Sequence, residues 1–154
     1  MSKSCRRWVI VLLVLMLPLV ALKLISFTGT APERPAVVTA LPGCPASPNC
    51  VSSMDTDPTH AVAPLPARED AAAALAALEE VMAGLGGVKV RENGSYRHFT
   101  FRSRWMGYVD DVELLANPEQ NRIEVRSASR SGYGDFGVNR RRVEAIRQAY
   151  EARR

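Results

Sequence analysis

The sequence predicts an α+β domain, a mostly antiparallel four-stranded sheet with two helices on one face, preceded by an N-terminal transmembrane segment and a Pro-rich tether. Three observations predict it. Residues 88–128 hold four β-patterned runs separated by turn residues. Helical periodicity flanks them on both sides, and a long uncharged apolar run stands behind a basic N-terminus. The expected division is residues 1–25 as signal anchor or signal peptide, 26–66 as tether, and 67–154 as the α+β domain.

The leader begins with Lys3, Arg6 and Arg7 and continues from Trp8 to Leu22 without a charge. At ~1.5 Å per residue, Trp8 to Ile25 spans roughly 27 Å, enough for a hydrocarbon core if Lys23 reaches outward. Pro32 after Gly29-Thr30-Ala31 disfavours cleavage, so an uncleaved anchor through residues 8–25 is expected. Basic residues ahead of the span place the rest of the chain on the periplasmic side of a bacterial inner membrane, or in the periplasm if the leader is removed. Cys5 precedes the apolar run and so is not placed as a lipidation cysteine.

Eight prolines between Phe27 and Pro66 forbid helix and central strand, leaving an extended tether or a meandering cover. Within it Cys44-Pro45-Ala46-Ser47-Pro48-Asn49-Cys50 reads as a small disulfide loop in an oxidising compartment. Arg68 to Leu85 forms the first helix of the domain, with Leu75, Leu78, Met82 and Leu85 on one face and Glu69 and Asp70 at its positive end. Strands follow at Val88–Glu92 and Ser95–Ser103, joined through Asn93-Gly94, and at Tyr108–Ala116 and Arg122–Ala128, joined through residues 117–121. Setting Val112 and Leu114 beside Val125 and Ile123 places Asp110 on the apolar face opposite Ser127, and Asp111 opposite Arg126 on the other face. His98 falls on the face away from Phe99 and Phe101. Trp105, Met106 and Tyr108 form either a ligand flap or, as expected here, the edge of the core. The last helix starts near Val138 or Asn139, buries Val143, Ile146 and Tyr150, and takes its cap from Asp135 or Asn139.

The net charge of +4 resides in the leader, because Lys3, Arg6, Arg7 and Lys23 account for all of it. A basic leader is not a basic domain, so no nucleic acid is expected as partner. Residues 122–154 are nevertheless locally cationic, with nine basic against four acidic side chains.

Chemistry concentrates between Arg126 and Arg142. Gly132-Tyr133-Gly134-Asp135-Phe136-Gly137 matches a dinucleotide fingerprint literally, but the chain ends seventeen residues later, before the required acidic residue and second strand. These glycines serve the turn into a helix, beside which Arg126, Arg130 and Arg140 offer an anion pocket. Asp110 and Asp111 are the weak catalytic candidates, as carboxylates placed in different environments. The competing reading has Asp110 hold the glycine loop while Asp111 pairs with Arg126. Ser127 and Ser129 lack a nucleophile elbow, and His60 and His98 have no ligand spacing, so neither a serine hydrolase nor a metal or other cofactor is expected.

With Cys-Pro-x-Ser-Pro-Asn-Cys at 44–50, Asp-Asp-Val-Glu at 110–113, Arg-Ser-Ala-Ser-Arg at 126–130 and Asp-x-Gly-x-Asn-Arg at 135–140, the chain resembles the domain-of-unknown-function family DUF1499 of bacterial envelopes and chloroplasts. The resemblance runs from Leu41 to the C-terminus. It implies no catalytic role. It does imply that Asn49, Cys50, Asp110, Asp111, Arg126, Ser127, Ser129, Arg130, Asp135, Asn139 and Arg140 belong together. The leading expectation is a non-catalytic envelope module that binds a small anionic or polar ligand through Arg126, Ser127, Ser129, Arg130, Asp135, Asn139 and Arg140. The rivals are a hydrolase using Asp110 or Asp111, and a structural domain with an internal Arg/Asp network.

Overall fold

A computed structural model describes residues 3–26, 29–68 and 70–153. The order is α1 (Lys3–Ile25), β1 (Cys50–Ser52), β2 (Leu65–Pro66), α2 (Ala71–Gly84), β3 (Val88–Asn93), β4 (Tyr96–Arg102), β5 (Val109–Asn117), β6 (Arg122–Ser129) and α3 (Val138–Glu151). The fold is α+β around a six-stranded antiparallel sheet, ordered β1-β6-β5-β4-β3 with β2 also on β6. Two strands more than expected arise from the Pro-rich segment. They are only three and two residues long and pair along one strand, which suits a chain whose prolines interrupt any longer ladder.

Helix α1 is long and apolar enough over Ser4–Leu24 to cross a membrane, by length and composition. Helix α2 begins later than expected, because Asp70 caps it by accepting the amides of Ala72 and Ala73. Glu69, expected at the same end, lies outside the described residues. Ala74, Leu75, Leu78, Val81 and Met82 are buried, whereas Leu85 turns outward as the helix ends. Val143, Ile146 and Tyr150 of α3 meet them over Phe99, Phe101, Val112, Leu114, Ala116, Ile123 and Val125. Both helices therefore cover one face.

The hairpin β3–β4 turns one residue later than the Asn-Gly pair suggested. Asn93 pairs with Tyr96, and Gly94 alone takes positive φ, at +54°, in the first central position where a type II′ turn wants glycine. Between β5 and β6 the expected register is off by two residues. Asp110 lies opposite Ser129, Asp111 opposite Ala128 and Glu113 opposite Arg126. The cause is the turn, in which Asn117 still pairs with Arg122 and a 3₁₀ turn, Pro118–Gln120, with left-handed Asn121, spans the gap. An even shift keeps every side chain on its assigned face but changes its partner.

The second sheet face is covered too. Val38 and Leu41 form a small core with Tyr96 and Leu115. The Arg91 guanidinium donates to the carbonyls of Arg34, Pro35 and Ala36 and fixes the covering chain in place. His98, on this face, is consequently buried.

Leu78→Ala, deep between α2 and the sheet, is expected to cost about 2–5 kcal/mol in urea unfolding. Leu85→Ala, on an outward position of the same segment, should change stability by less than about 0.5 kcal/mol.

Candidate functional site

Strand β5 is buried along nearly its whole length yet carries Asp110, Asp111 and Glu113. Alternation sends Asp110 toward the helices and the other two toward the Pro-rich cover. Buried carboxylates need cations or donors on every lone pair they can engage. The surrounding residues supply them.

On the helix side, Asp110 accepts the Ser129 hydroxyl with one oxygen and Arg142 Nη2, at 2.6 Å, with the other. Arg142 lies over the Phe101 ring, 4.9 Å from its centroid, and its Nη1 donates to Asn139 Oδ1 at 2.9 Å. Asn139 is fully buried in the first turn of α3. Its Oδ1 accepts the Ser127 hydroxyl at 2.6 Å, and its Nδ2 donates to the Asn49 carbonyl at 2.9 Å, to Ser129 and to Asp135. Asn49 itself donates to the Gly132 carbonyl at 2.6 Å. It is placed there by the Cys44–Cys50 disulfide, whose Cα atoms lie 5.6 Å apart, and by the first residues of β1.

Asp135 supplies the helix start. Its carboxylate accepts the amides of Gly137 and Asn139 at 2.9 and 2.7 Å. Gly132 and Gly137 take positive φ as the loop reading expects, while Gly134 does not.

On the cover side, Asp111 accepts Arg130 Nε at 2.9 Å and Nη2 at 2.7 Å, and His98 Nε2 at 2.7 Å. Burial pushes its carboxyl up, but the hydrogen bonds from His98 and Arg130 outweigh burial and hold it below the usual carboxylate range. Glu113, with no exposure at all, accepts Arg34 Nε at 2.7 Å, Arg34 Nη2 at 2.8 Å, the Tyr96 hydroxyl at 2.7 Å and Arg126 Nη1 at 3.1 Å. It too titrates low: burial raises it, and the Arg34 and Tyr96 hydrogen bonds with the charges of Arg34 and Arg126 win. Burial and the Glu113 carboxylate push the Tyr96 phenol up. A carboxylate ligated on both oxygens and held ionised is a poor proton acceptor near neutral pH, which weakens Asp111 as a general base.

Two hollows border this junction. A polar one of about 380 Å³ is lined by Thr30, Glu33, Asp111, Arg126, Ser129 and Arg130. Chain passes so closely over it that a side chain at Gly29 would collide with Arg130 Cβ. The other, about 590 Å³ and largely apolar, opens on the helix side above Asp110, Ser129 and Asp135. Among the described residues no cluster of three His, Cys, Asp or Glu side chains converges on a metal-sized point.

Of the residues singled out in the sequence, Ser127, Ser129, Asp135 and Asn139 meet on the helix side, while Arg126 and Arg130 meet on the cover side. Arg140 joins neither group, because its guanidinium donates to the carbonyls of Thr59 and Ala61. The expected Asp111–Arg126 pair is replaced by Asp111–Arg130 and Glu113–Arg126, the direct result of the register shift. Arg34, Tyr96 and Arg142 escaped the sequence reading, and His98 and Glu113 were seen in it but given no place among the site residues. Glu113 offered one clue, a third carboxylate in a strand pattern without a basic neighbour in sequence; Arg34 offered none.

Folded-state carboxyls at Asp111 and Glu113 titrate below their unfolded counterparts. Their stabilisation is therefore complete above the unfolded carboxylate range near about 4 and is lost as pH falls through their folded values. Arg34→Ala is expected to cost about 3–5 kcal/mol in urea unfolding and to move the acid limb of a stability profile to higher pH. Arg34→Met combined with Glu113→Gln should recover most of that loss.

A family model described as a protein of unknown function, DUF1499, matches residues 40–150. No curated protein matches the chain.

Proposed function

The chain belongs to the DUF1499 family, and we propose that it is a single-pass, membrane-anchored envelope module that binds a small anionic or polar ligand without transforming it. In this reading residues 1–25 are a retained anchor, and the domain faces the periplasm of a bacterial cell. The observation that carries the binding reading is the polar hollow over Arg126 and Arg130. Arg126 spends one bond, from Nη1, on Glu113, and its buried Nε has no partner among the described residues. Arg130, in the same lining, engages Asp111 through Nε and Nη2, so its remaining guanidinium hydrogens are the donors it could offer a ligand. Glu33 and Asp111 balance the two guanidiniums in the lining, so a ligand with one anionic group and a hydrogen-bond donor fits better than a polyanion.

A second reading, a structural or partner-binding domain, draws support from the internal partners of Arg34, Arg130, Arg140 and Arg142. Arg126 separates the two. Glu113 keeps Arg34 and Tyr96 when Arg126 is removed, so Arg126→Gln is expected to fold normally. Differential scanning fluorimetry with inorganic phosphate, glycerol phosphate and phosphoethanolamine should raise the melting temperature of the parent protein with at least one of them. That rise should vanish in Arg126→Gln. No rise in the parent, or an equal rise in the variant, would remove the binding reading and leave the scaffold.

A further inference from the structure

The C-terminal end of helix α1 meets the domain beside Trp105 and Tyr108. Lys23 Nζ donates to the Trp105 carbonyl at 3.4 Å, and the Tyr108 hydroxyl donates to the Leu22 carbonyl at 3.3 Å. The apolar cleft lies there, walled by Leu19 and Leu22 from α1 and by Trp105, Met106, Tyr133, Phe136 and Val138 from loops 103–108 and 131–138. Among the described residues after α1, the exposed aromatic side chains are Trp105, Tyr133 and Phe136, at 83, 78 and 96% exposure, and all three line this cleft. Phe136 holds φ at +53°, a conformation that bulky residues rarely adopt, between an Asp135 and a Gly137 that hydrogen-bond across it. The chain thus accepts a strained backbone to present a phenyl ring outward.

Cations stand beside these loops. Arg104 stands 5.6 Å from the Trp105 ring, Arg102 donates to the Gly107 carbonyl at 3.1 Å, and Arg141 donates to the Phe136 carbonyl at 2.8 Å. Lys23 adds a further cation from α1. Asp110 and Asp135, the acidic residues in the same lining, are already engaged by Arg142 and by backbone amides. Exposed Trp and Tyr together with Lys and Arg are the composition of the membrane–water interface.

Depth decides the occupant. The apolar window of α1 ends at Leu24, so Leu22 lies roughly 3 Å and Leu19 roughly 8 Å inside that end at ~1.5 Å per residue. A cleft with those residues as one wall opens at the level where hydrocarbon gives way to headgroups. We infer that loops 103–108 and 131–138 rest in the interfacial layer of the bilayer that α1 crosses, with Trp105, Tyr133 and Phe136 among the upper acyl chains and Arg102, Arg104 and Arg141 on lipid phosphates. The inference rests on the reading of α1 as a retained span. The occupant of the cleft is then lipid, preferentially anionic lipid, and the domain lies against the membrane instead of swinging on a tether.

Trp8→Phe leaves Trp105 as the sole tryptophan of the full-length chain. This protein is reconstituted into phosphatidylcholine vesicles, with or without phosphatidylglycerol, containing lipids brominated near the headgroup end of the acyl chain. Trp105 emission should shift to the blue, lose most of its intensity to the brominated lipid, and resist iodide. Phosphatidylglycerol should strengthen all three effects, and Arg104→Glu with Arg141→Glu should abolish that strengthening while circular dichroism stays unchanged. Red, iodide-quenched emission from a chain that remains in the vesicles would overturn the docking alone. Protection that disappears when the protein is diluted among more vesicles would overturn it in favour of a second copy. A cellular protein whose intact mass lacks residues 1–25 would overturn the anchor and the docking together.

Discussion

Three carboxylates in one fully packed strand are the constraint from which the remaining architecture follows. Asp110, Asp111 and Glu113 are all nearly inaccessible to solvent. An unpaired buried charge costs several kcal/mol, so each must be met from a neighbouring element. Arg142 comes from α3, Arg130 and His98 from β6 and its continuation and from β4, and Arg34 from the Pro-rich cover. The cover is therefore part of the folded unit in an energetic sense. Lifting it would strip Glu113 of its bidentate partner. Such pairs add little net stability over an apolar core, and here the register set by the turn brings Glu113 opposite Arg126.

Much of this was legible in sequence, and the failures have identifiable causes. Strand alternation located the four long strands within a residue or two and placed Asp110 and Asp111 on their observed faces, because side-chain period depends only on local pattern. Partner identity depends on register, and register depended on a 3₁₀ turn with a left-handed Asn121 that composition does not announce. The short strands at Cys50–Ser52 and Leu65–Pro66 carry almost no local signal and exist because β6 offers an edge to pair with. His98 looked like an outer-face residue because nothing in a proline-rich stretch says that it will lie down over a sheet. Trp105 was assigned to the core edge on hydrophobicity alone, and it is outside.

The end of the β5–β6 pair joins two differently built surfaces. Ser129 bonds Asp110 on one face while Arg130, the next residue, bonds Asp111 on the other. Ser129 consequently borders both the polar hollow under the cover and the apolar cleft beside α1. Asn139 and Asn49 brace this end from the helix and from the disulfide loop, which explains why residues ninety positions apart carry one hydrogen-bond network. Its rigidity is that of a closed ring of donors and acceptors, in which no polar group can turn without orphaning another.

The irregular outer strand β3 bears on how copies of the chain can meet one another. Its pairing with β4 slips between Lys89 and Arg91, and Lys89, Arg91 and Glu92 bind charges and carbonyls around that kink. A smooth strand edge invites another chain to extend the sheet, and molecules held beside one another on a surface meet edge to edge far more often than molecules free in three dimensions. A kinked, charged border spoils the template. The same irregularity that interrupts one ladder within the domain thus guards neighbouring copies against zipping together into a continuous sheet.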